Sequence, residues 1–271
     1  MDDAAALLAH ARRLRRPLDQ RDLPVVVSPA ALQRFELLLQ RRILERVPVV
    51  YLTRRCWYAG LPLYIDERVL IPRSPIAELI TRQFAPWVDG HSVRRIVDLG
   101  TGSGCIALAC AVAFPRARVD AVDISSDALA VARINRAALG LARRVRLVRS
   151  DFFEGLKGRR YDIIVSNPPY VGTAEFNGLP PEYGHEPAGA LRSGRDGMDA
   201  VRLLLQQSAR HLAPQGVLVV EVGNTETRVR RAYPQLPFLW LSFEHGGGGV
   251  FLLTAAQLRA AGFGERATSV R

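Results

Sequence analysis

Asn167-Pro168-Pro169-Tyr170 follows directly on a strand-like run, Tyr161-Asp162-Ile163-Ile164-Val165-Ser166. This order of residues suits one kind of chemistry. An amide or exocyclic amino nitrogen is a poor nucleophile, because its lone pair is delocalised. Its transfer chemistry needs acceptors for its two N–H bonds and a tight in-line approach to an activated sulfonium methyl. The Asn167 side-chain oxygen and the Pro168 carbonyl can supply two such acceptors. Pro168 and Pro169 keep the backbone stiff and bring no competing N–H donor. Tyr170 offers a flat face to a planar acceptor group. A proline-rich turn after a strand is common, but it does not require Asn first and an aromatic last. No general base is demanded, since the product can shed its extra proton after transfer. Asn167, Pro168, Pro169 and Tyr170 are therefore the candidate catalytic residues.

A second constellation lies upstream. Ile96-Val97-Asp98-Leu99-Gly100-Thr101-Gly102-Ser103-Gly104 reads as a strand, a glycine-rich turn and a helix start. Glycines let a ligand approach the backbone, and the helix start offers free N–H groups. The spacing is Gly-x-Gly-x-Gly rather than the Gly-x-Gly-x-x-Gly of dinucleotide enzymes, and no phosphate-binding lysine follows. The next strand ends at Asp123, about 20 residues after the glycines, where nucleotide folds place a carboxylate for the ribose hydroxyls. After a third strand come Asp151, which could accept from an adenine amino group, and Phe152, which could lie on the ring or simply pack in the core. Asp98 could contact the ligand or brace the turn. Binding elements at the ends of three successive strands suit an adenosine ligand. The candidate cofactor residues are Asp98, Gly100, Thr101, Gly102, Ser103, Gly104, Asp123, Asp151, Phe152 and Asn167.

The elements needed to carry these residues can be read in the same chain. Strands are predicted at 94–98, 118–122, 145–149, 161–166, 216–222, 237–243 and 249–254, with helices at about 104–113, 126–139 and 197–212. Such alternation predicts an α/β fold with a parallel, doubly wound sheet. Only Glu244-His245 and a glycine run separate the last two strands, which predicts an antiparallel hairpin. Ahead of this domain (76–271, opening with a helix over 76–84), residues 1–48 read as a helical lobe. Its first helix spans Ala5–Arg16 and stops at Pro17. Its second starts at Ser28-Pro29 and carries a stripe of Leu32, Phe35, Leu38, Leu39, Ile43 and Val47 that Pro48 ends. Residues 49–75 read as a hairpin-like connector turning at Gly60-Leu61-Pro62. Glu175, Glu182, His185 and Glu186 fall in a long, lid-like loop, with no role assigned to His185.

With 271 residues and 48% apolar content, the chain can bury a sizeable core. Its longest apolar run, Cys105 to Phe114, is far short of a membrane span. The acidic Met1-Asp2-Asp3 start lacks a signal-peptide layout, so a cytoplasmic protein is expected, with no membrane partner. Cys56, Cys105 and Cys110 have no metal-ligand spacing, and no metal site is expected. Net charge is +11, carried almost wholly by arginine, with Lys157 the only lysine. That charge fits a solvated basic surface, or a phosphate-rich partner such as a ribosome or ribosomal RNA.

The Asp98–Gly104 loop together with Asn167-Pro168-Pro169-Tyr170 resembles the HemK/Prm family of protein glutamine N-methyltransferases, over roughly residues 47–255. The resemblance implies a class I methyltransferase layout with seven strands and a terminal hairpin, S-adenosyl-L-methionine as cofactor, and a glutamine side-chain amide in a translation protein as acceptor. It also implies a substrate-docking role for the N-terminal lobe. Pro72-Arg73-Ser74-Pro75-Ile76-Ala77-Glu78, Asp66-Glu67-Arg68-Val69, Leu179-Pro180-Pro181-Glu182-Tyr183 and His185-Glu186-Pro187 resemble the branch that methylates large-subunit ribosomal protein number three, either free or within an assembly intermediate. Gly194-Arg195-Asp196-Gly197-Met198-Asp199 also fits the family pattern. The alternatives are the release-factor branch, a nucleic-acid amino methyltransferase, and an assembly module without catalysis.

Overall fold

The computed structural model describes residues 2–264 apart from Arg15, Pro17 and Leu23. The N-terminal lobe holds α1 (Asp3–Ala11), α2 (Pro29–Leu44) and α3 (Val49–Thr53). Ser28 caps α2 by accepting from the Ala31 backbone N–H at 3.3 Å, with Pro29 in the first turn, as the Ser-Pro pair predicts. Two expectations here need correction. The first helix ends at Ala11, short of the predicted stop at Pro17, a residue outside those described. The second ends at Leu44, because Arg46 turns left-handed at φ 59°; Pro48 instead leads into α3. The apolar stripe is also split: Phe35, Leu38 and Leu39 pack inward and Val47 is buried, but Leu32 and Ile43 are 48% and 60% exposed.

The connector forms a hairpin of β1 (Arg55–Tyr58) and β2 (Leu61–Tyr64). It turns on Ala59 and Gly60, both at positive φ, so Leu61 and Pro62 belong to the strand rather than to the turn. Asn135 fastens the hairpin to the sheet domain. Its side chain accepts from the Tyr64 N–H at 2.7 Å and donates to the carbonyls of Tyr64 and Ser103, both at 2.9 Å. A short α4 (Ile76–Thr81) then leads into the sheet domain, stopping three residues before the predicted end.

That domain alternates β3 (Arg95–Leu99), α5 (Cys105–Ala113), β4 (Arg118–Asp123), α6 (Ser126–Ala138), β5 (Val145–Arg149) and β6 (Tyr161–Ser166). Short α7 (Thr173–Phe176) and α8 (Ala188–Leu191) interrupt the long loop. There follow α9 (Asp199–His211), β7 (Leu212–Glu221), α10 (Glu226–Ala232), β8 (Leu239–Leu241), β9 (Val250–Thr254) and α11 (Ala255–Ala260). The sheet order is β5-β4-β3-β6-β7-β9-β8. The first five strands are parallel, and β9 is antiparallel to both neighbours. Strand pleating sorts the apolar residues onto two faces. Ile96, Ile163, Val165, Val217 and Val219 join the core containing α5, α4 and the connector, whereas Val97, Leu99, Ile164, Leu218 and Val220 face α9 and α11. The predicted fold class holds. The boundaries differ chiefly at β7, which starts four residues early, and at β8, which is three residues long.

The strand order reverses between β3 and β6. Ligands in open parallel sheets lie at such a reversal, outside the carboxyl ends of the strands. The glycine loop leaves β3 there, and Asn167 leaves β6 beside it.

Candidate active site

Backbone geometry requires glycine in the loop after β3. Gly100, Gly102 and Gly104 have φ of 73°, 54° and 84°, values that side chains resist. The N–H groups of Gly100 and Thr101 both donate to the Val122 carbonyl, at 2.9 and 2.8 Å. Beneath the loop, the fully buried Asp98 carboxyl accepts from the Thr101 hydroxyl at 2.5 Å and from the Ala107 N–H at 3.1 Å. Thr101 and Ser103 are buried too. Asp98, Thr101 and Ser103 thus lie behind the loop rather than on the face of the cleft.

Burial raises the Asp98 carboxyl from its ordinary 3.8 to about 7. The folded state therefore keeps a proton that the unfolded chain releases near pH 4. The resulting stability is present in full below about pH 4 and is lost as pH rises through about 7. Asp98→Asn should remove this dependence, so that the melting-temperature advantage of the natural chain over the variant falls steadily across that interval. A constant difference in thermal melts from pH 4 to 8 would contradict it.

Asp123 ends β4. One oxygen accepts from the Gly102 N–H at 2.8 Å and the other from the Ser125 N–H at 2.9 Å, and burial raises its pKa. After β5, Phe152 has φ 38°, a left-handed value that costs free energy in a non-glycine residue. The Ser150 hydroxyl holds that turn, donating to the Phe152 carbonyl at 3.2 Å and accepting from the Gly155 N–H at 2.8 Å. The Phe152 ring is half buried; it packs on the α9-side core and also faces the cleft. Asp151 is exposed at the rim.

These residues meet in one cleft of about 400 Å³. Gly100, Gly102, Asp123, Asp151, Phe152, Asn167 and Pro169 line it, while Arg68, Val69 and Leu70 from the connector and Pro187, Gly189 and Ala190 from the long loop close it. At its floor the Ser166 hydroxyl donates to the Leu99 carbonyl at 2.6 Å, tying the tip of β6 to that of β3. Asn167 Oδ1 is buried there without a hydrogen-bond partner. The Pro168 carbonyl accepts from no described backbone N–H outside the regular elements. A buried acceptor left unpaired, as Asn167 Oδ1 is, costs about 1–3 kcal/mol, which points to a ligand that brings an N–H donor. The Asp123 carboxylate and the unpaired Asn167 oxygen give the cleft the polar groups that a nucleoside bearing an amino-acid tail and an amide acceptor would need.

Tyr170 is placed differently from its neighbours. Its ring lies against Gly223, where a Cβ would stand 2.6 Å from the ring, and its hydroxyl donates to Glu221 at 3.4 Å. Its carbonyl presses on Gly197, where a Cβ would stand 2.3 Å away. Tyr170 thus anchors the motif and is not among the cleft-lining residues.

Around the site stand two glutamates: Glu221, which carries no local signal in the sequence, and Glu186, from the lid-like loop. Glu221, at the end of β7, is buried and accepts from Ser74 Oγ at 2.5 Å as well as from Tyr170. Burial raises its pKa. Glu186 is buried and accepts from the Ile71 N–H at 3.1 Å and from Arg73 at 2.8 Å, and Arg73 also lies 5.0 Å over the Tyr183 ring. The lid-like loop is thus fixed to the connector. It also touches the helical lobe, through Arg46–Glu182 at 2.7 Å and His185 Nε2 at 2.9 Å from the Glu45 carbonyl. The one metal-like group found among the described residues, Glu78 with Glu244 and His245, lies outside this cleft and is largely exposed.

Residues 79–178 match the family model for the methyltransferase small domain. In fold the chain resembles a methyltransferase from Pyrococcus furiosus (TM-score 0.52, 19% identity, 83% of this chain and 98% of that one). It also resembles the delta-N METTL16 MTase domain (TM-score 0.51, 18% identity, 84% and 96% covered). The architecture is that of a class I methyltransferase. The sequence is 47% identical to the ribosomal protein uL3 glutamine methyltransferase of Xylella fastidiosa strain Temecula1, over 96% of this chain and 83% of that protein. It is 46% identical to the protein of the same name from Neisseria meningitidis serogroup A, over 95% and 85%. The chain belongs to the family of ribosomal protein uL3 glutamine methyltransferases.

Proposed function

We propose that the chain transfers a methyl group from S-adenosyl-L-methionine to the side-chain amide nitrogen of a glutamine in ribosomal protein uL3. The observation that carries this is the buried, unpaired Asn167 Oδ1 at the tip of β6, beside the glycine loop and on the same cleft as Asp123. In this scheme Asp123 accepts from the ribose hydroxyls, Asp151 from the adenine amino group, and Phe152 covers the adenine. Gly100 and Gly102 let the cofactor lie close to the backbone, while Gly104, packed near Leu108 and Ala132, shapes the turn. When bound, the cofactor supplies an electrophilic methyl on a sulfonium centre.

Asn167 Oδ1 and the Pro168 carbonyl take the two N–H groups of the glutamine amide and set its nitrogen in line with that methyl. With the cofactor bound, its methyl would pass from sulfur to that nitrogen, and the nitrogen would then lose one proton to water. Pro169 and the anchored Tyr170 hold the acceptor oxygens in place. Residues 1–48 dock the protein substrate, and the contacts of Glu182 and His185 with the end of α2 connect that lobe to the loop over the cleft. The reaction belongs in the cytoplasm, on free uL3 or on an assembly intermediate; no described helix is long and apolar enough to cross a membrane.

Purified protein given methyl-labelled cofactor should label uL3, and the label should survive ribonuclease. Peptide mapping should place it on a glutamine. Labelling of a release factor alone would redirect the substrate assignment, and ribonuclease-sensitive label would replace it with nucleic-acid methylation.

A further inference from the structure

The opposite end of the sheet carries a second depression, of about 640 Å³, formed by the amino ends of β3, β4, β5 and β6 and the turn after α6. At about 3.3 Å per residue, strands of this length set it ~17–20 Å from the glycine loop. Seven of its lining side chains are arginines, and its one acid is Asp120. Asp120 is already saturated: Arg146 and Arg159 donate to it at 2.8 and 3.2 Å, and the Tyr161 hydroxyl at 2.6 Å. Six positive charges remain unbalanced, more than half of the net +11 of the whole chain.

Arg95, Arg118 and Arg143 are exposed and make no side-chain hydrogen bond or ion pair with the described residues. Arg136 Nε is buried with no acceptor among the described residues, although its terminal nitrogen reaches the Val145 carbonyl at 3.1 Å. Clustered like charges and an unpaired buried donor both disfavour the folded state; Arg136, Arg144, Arg146 and Arg159 hold carbonyls or Asp120, but Arg95, Arg118 and Arg143 serve no such contact among the described residues.

We infer that this depression is a binding site for the phosphate backbone of RNA. Arg95 and Arg118 are register partners on adjacent strands, whereas Arg144, just before β5, donates its guanidinium to the carbonyls of Ala111 and Phe114. Adjacent strands lie about 4.8 Å apart, so Arg95 and Arg118, with Arg143 on the turn beside them, make a short strip of closely placed cations. A polymer with an anion on every residue matches such a strip, whereas a peptide would need acidic residues at each step. Guanidinium groups also present paired donors suited to phosphate oxygens. The choice of RNA over DNA rests on the proposed ribosomal substrate; the phosphate site itself does not.

Binding of a labelled RNA hairpin, measured by fluorescence anisotropy across a salt series, tests this. The natural chain should bind with a steep salt dependence. The triple variant Arg95→Glu, Arg118→Glu, Arg143→Glu should lose about 100-fold in affinity at 0.1 M salt, and its log–log salt slope should fall by about 3, one for each phosphate no longer engaged. Arg21→Glu, Arg41→Glu, Arg231→Glu makes the same change in net charge elsewhere and should bind within about threefold of the natural chain, since charge far from the contact is screened. Equal losses in the two triples would overturn the inference, as would no loss in the first, or tighter binding of polyglutamate or an equivalent DNA hairpin. If the first triple failed to fold, Arg118→Gln with Arg143→Gln should still weaken binding. Methylation of isolated uL3 by the first triple should be unchanged. RNA affinity that depends on these arginines in a protein that methylates nothing would keep this site and remove the proposed reaction.

Discussion

Asn167→Ala should lower kcat for glutamine methylation by about 10²–10³-fold, the size of effect seen when one preorganised polar group at a reacting centre is removed. The variant should melt at nearly the natural temperature. Asn167 Oδ1 has no partner among the described residues, so its deletion breaks no internal bond there and removes an unpaired buried acceptor. Cofactor affinity should change by only a few-fold, because Asp123 and the glycine loop remain. The loss should appear in kcat more than in KM. An acceptor that merely gripped the substrate would stabilise ground and transition states alike and would show in KM alone. Single-turnover transfer of labelled methyl to uL3, run beside a thermal melt and a cofactor titration, separates these effects. A variant within threefold of the natural rate would mean that the amide is held by other groups, and the proposed acceptor role of the motif would fall.

The contrast between Asn167 and Glu221 explains what could be read in the sequence. The strand, glycine turn and helix around Gly100–Gly104 form a local pattern, and so does the strand running into Asn167. Pattern and spacing alone place both loops at the same end of a parallel sheet. The alternation of β3, β6, β7 and β9 residues between the two core faces follows from the same regularity. Glu221 carries no such pattern, and Glu186, though it lies in the His185-Glu186-Pro187 stretch, shows no contact there. Each becomes legible only through partners 147 and 113 residues away, Ser74 and Arg73, and an isolated glutamate at a strand end or before a proline reads as a surface residue. The helical lobe departs from its pattern for a related reason. The three- and four-residue spacing in α2 correctly marks a helix, but a lobe of three short helices has too little interior to cover Leu32 and Ile43 as well as Phe35, Leu38 and Leu39. Asp98 shows the limit from another side. Its position in the sequence fits either ligand contact or turn bracing, and only the bonds from Thr101 and Ala107 place its carboxyl behind the loop.

Asp123→Ala should weaken cofactor binding by about 100-fold or more. Hydrogen bonds to a charged acceptor contribute about 1.5–3 kcal/mol each, and two ribose hydroxyls would lose theirs together; about 1.4 kcal/mol corresponds to a tenfold change. The same carboxylate orders the loop, since it accepts from Gly102 and Ser125, so the variant should also lose about 1.5–3 kcal/mol of stability for each backbone bond. At saturating cofactor the methyl-transfer rate should recover to within a few-fold, because Asn167 and Pro168 are untouched. That recovery distinguishes a binding residue from one acting on the amide. Acidity provides a second handle. Burial raises the Asp123 pKa, so protonation begins at a higher pH than for an exposed aspartate and removes acceptor strength as it proceeds. Cofactor affinity should therefore decline on acidification in the natural chain, and Asp123→Asn, which cannot titrate, should start weaker and lack that decline. Calorimetric titration of S-adenosyl-L-methionine into the three proteins across pH tests both points; an Asp123→Ala affinity close to the natural value would remove the ribose contact from the scheme.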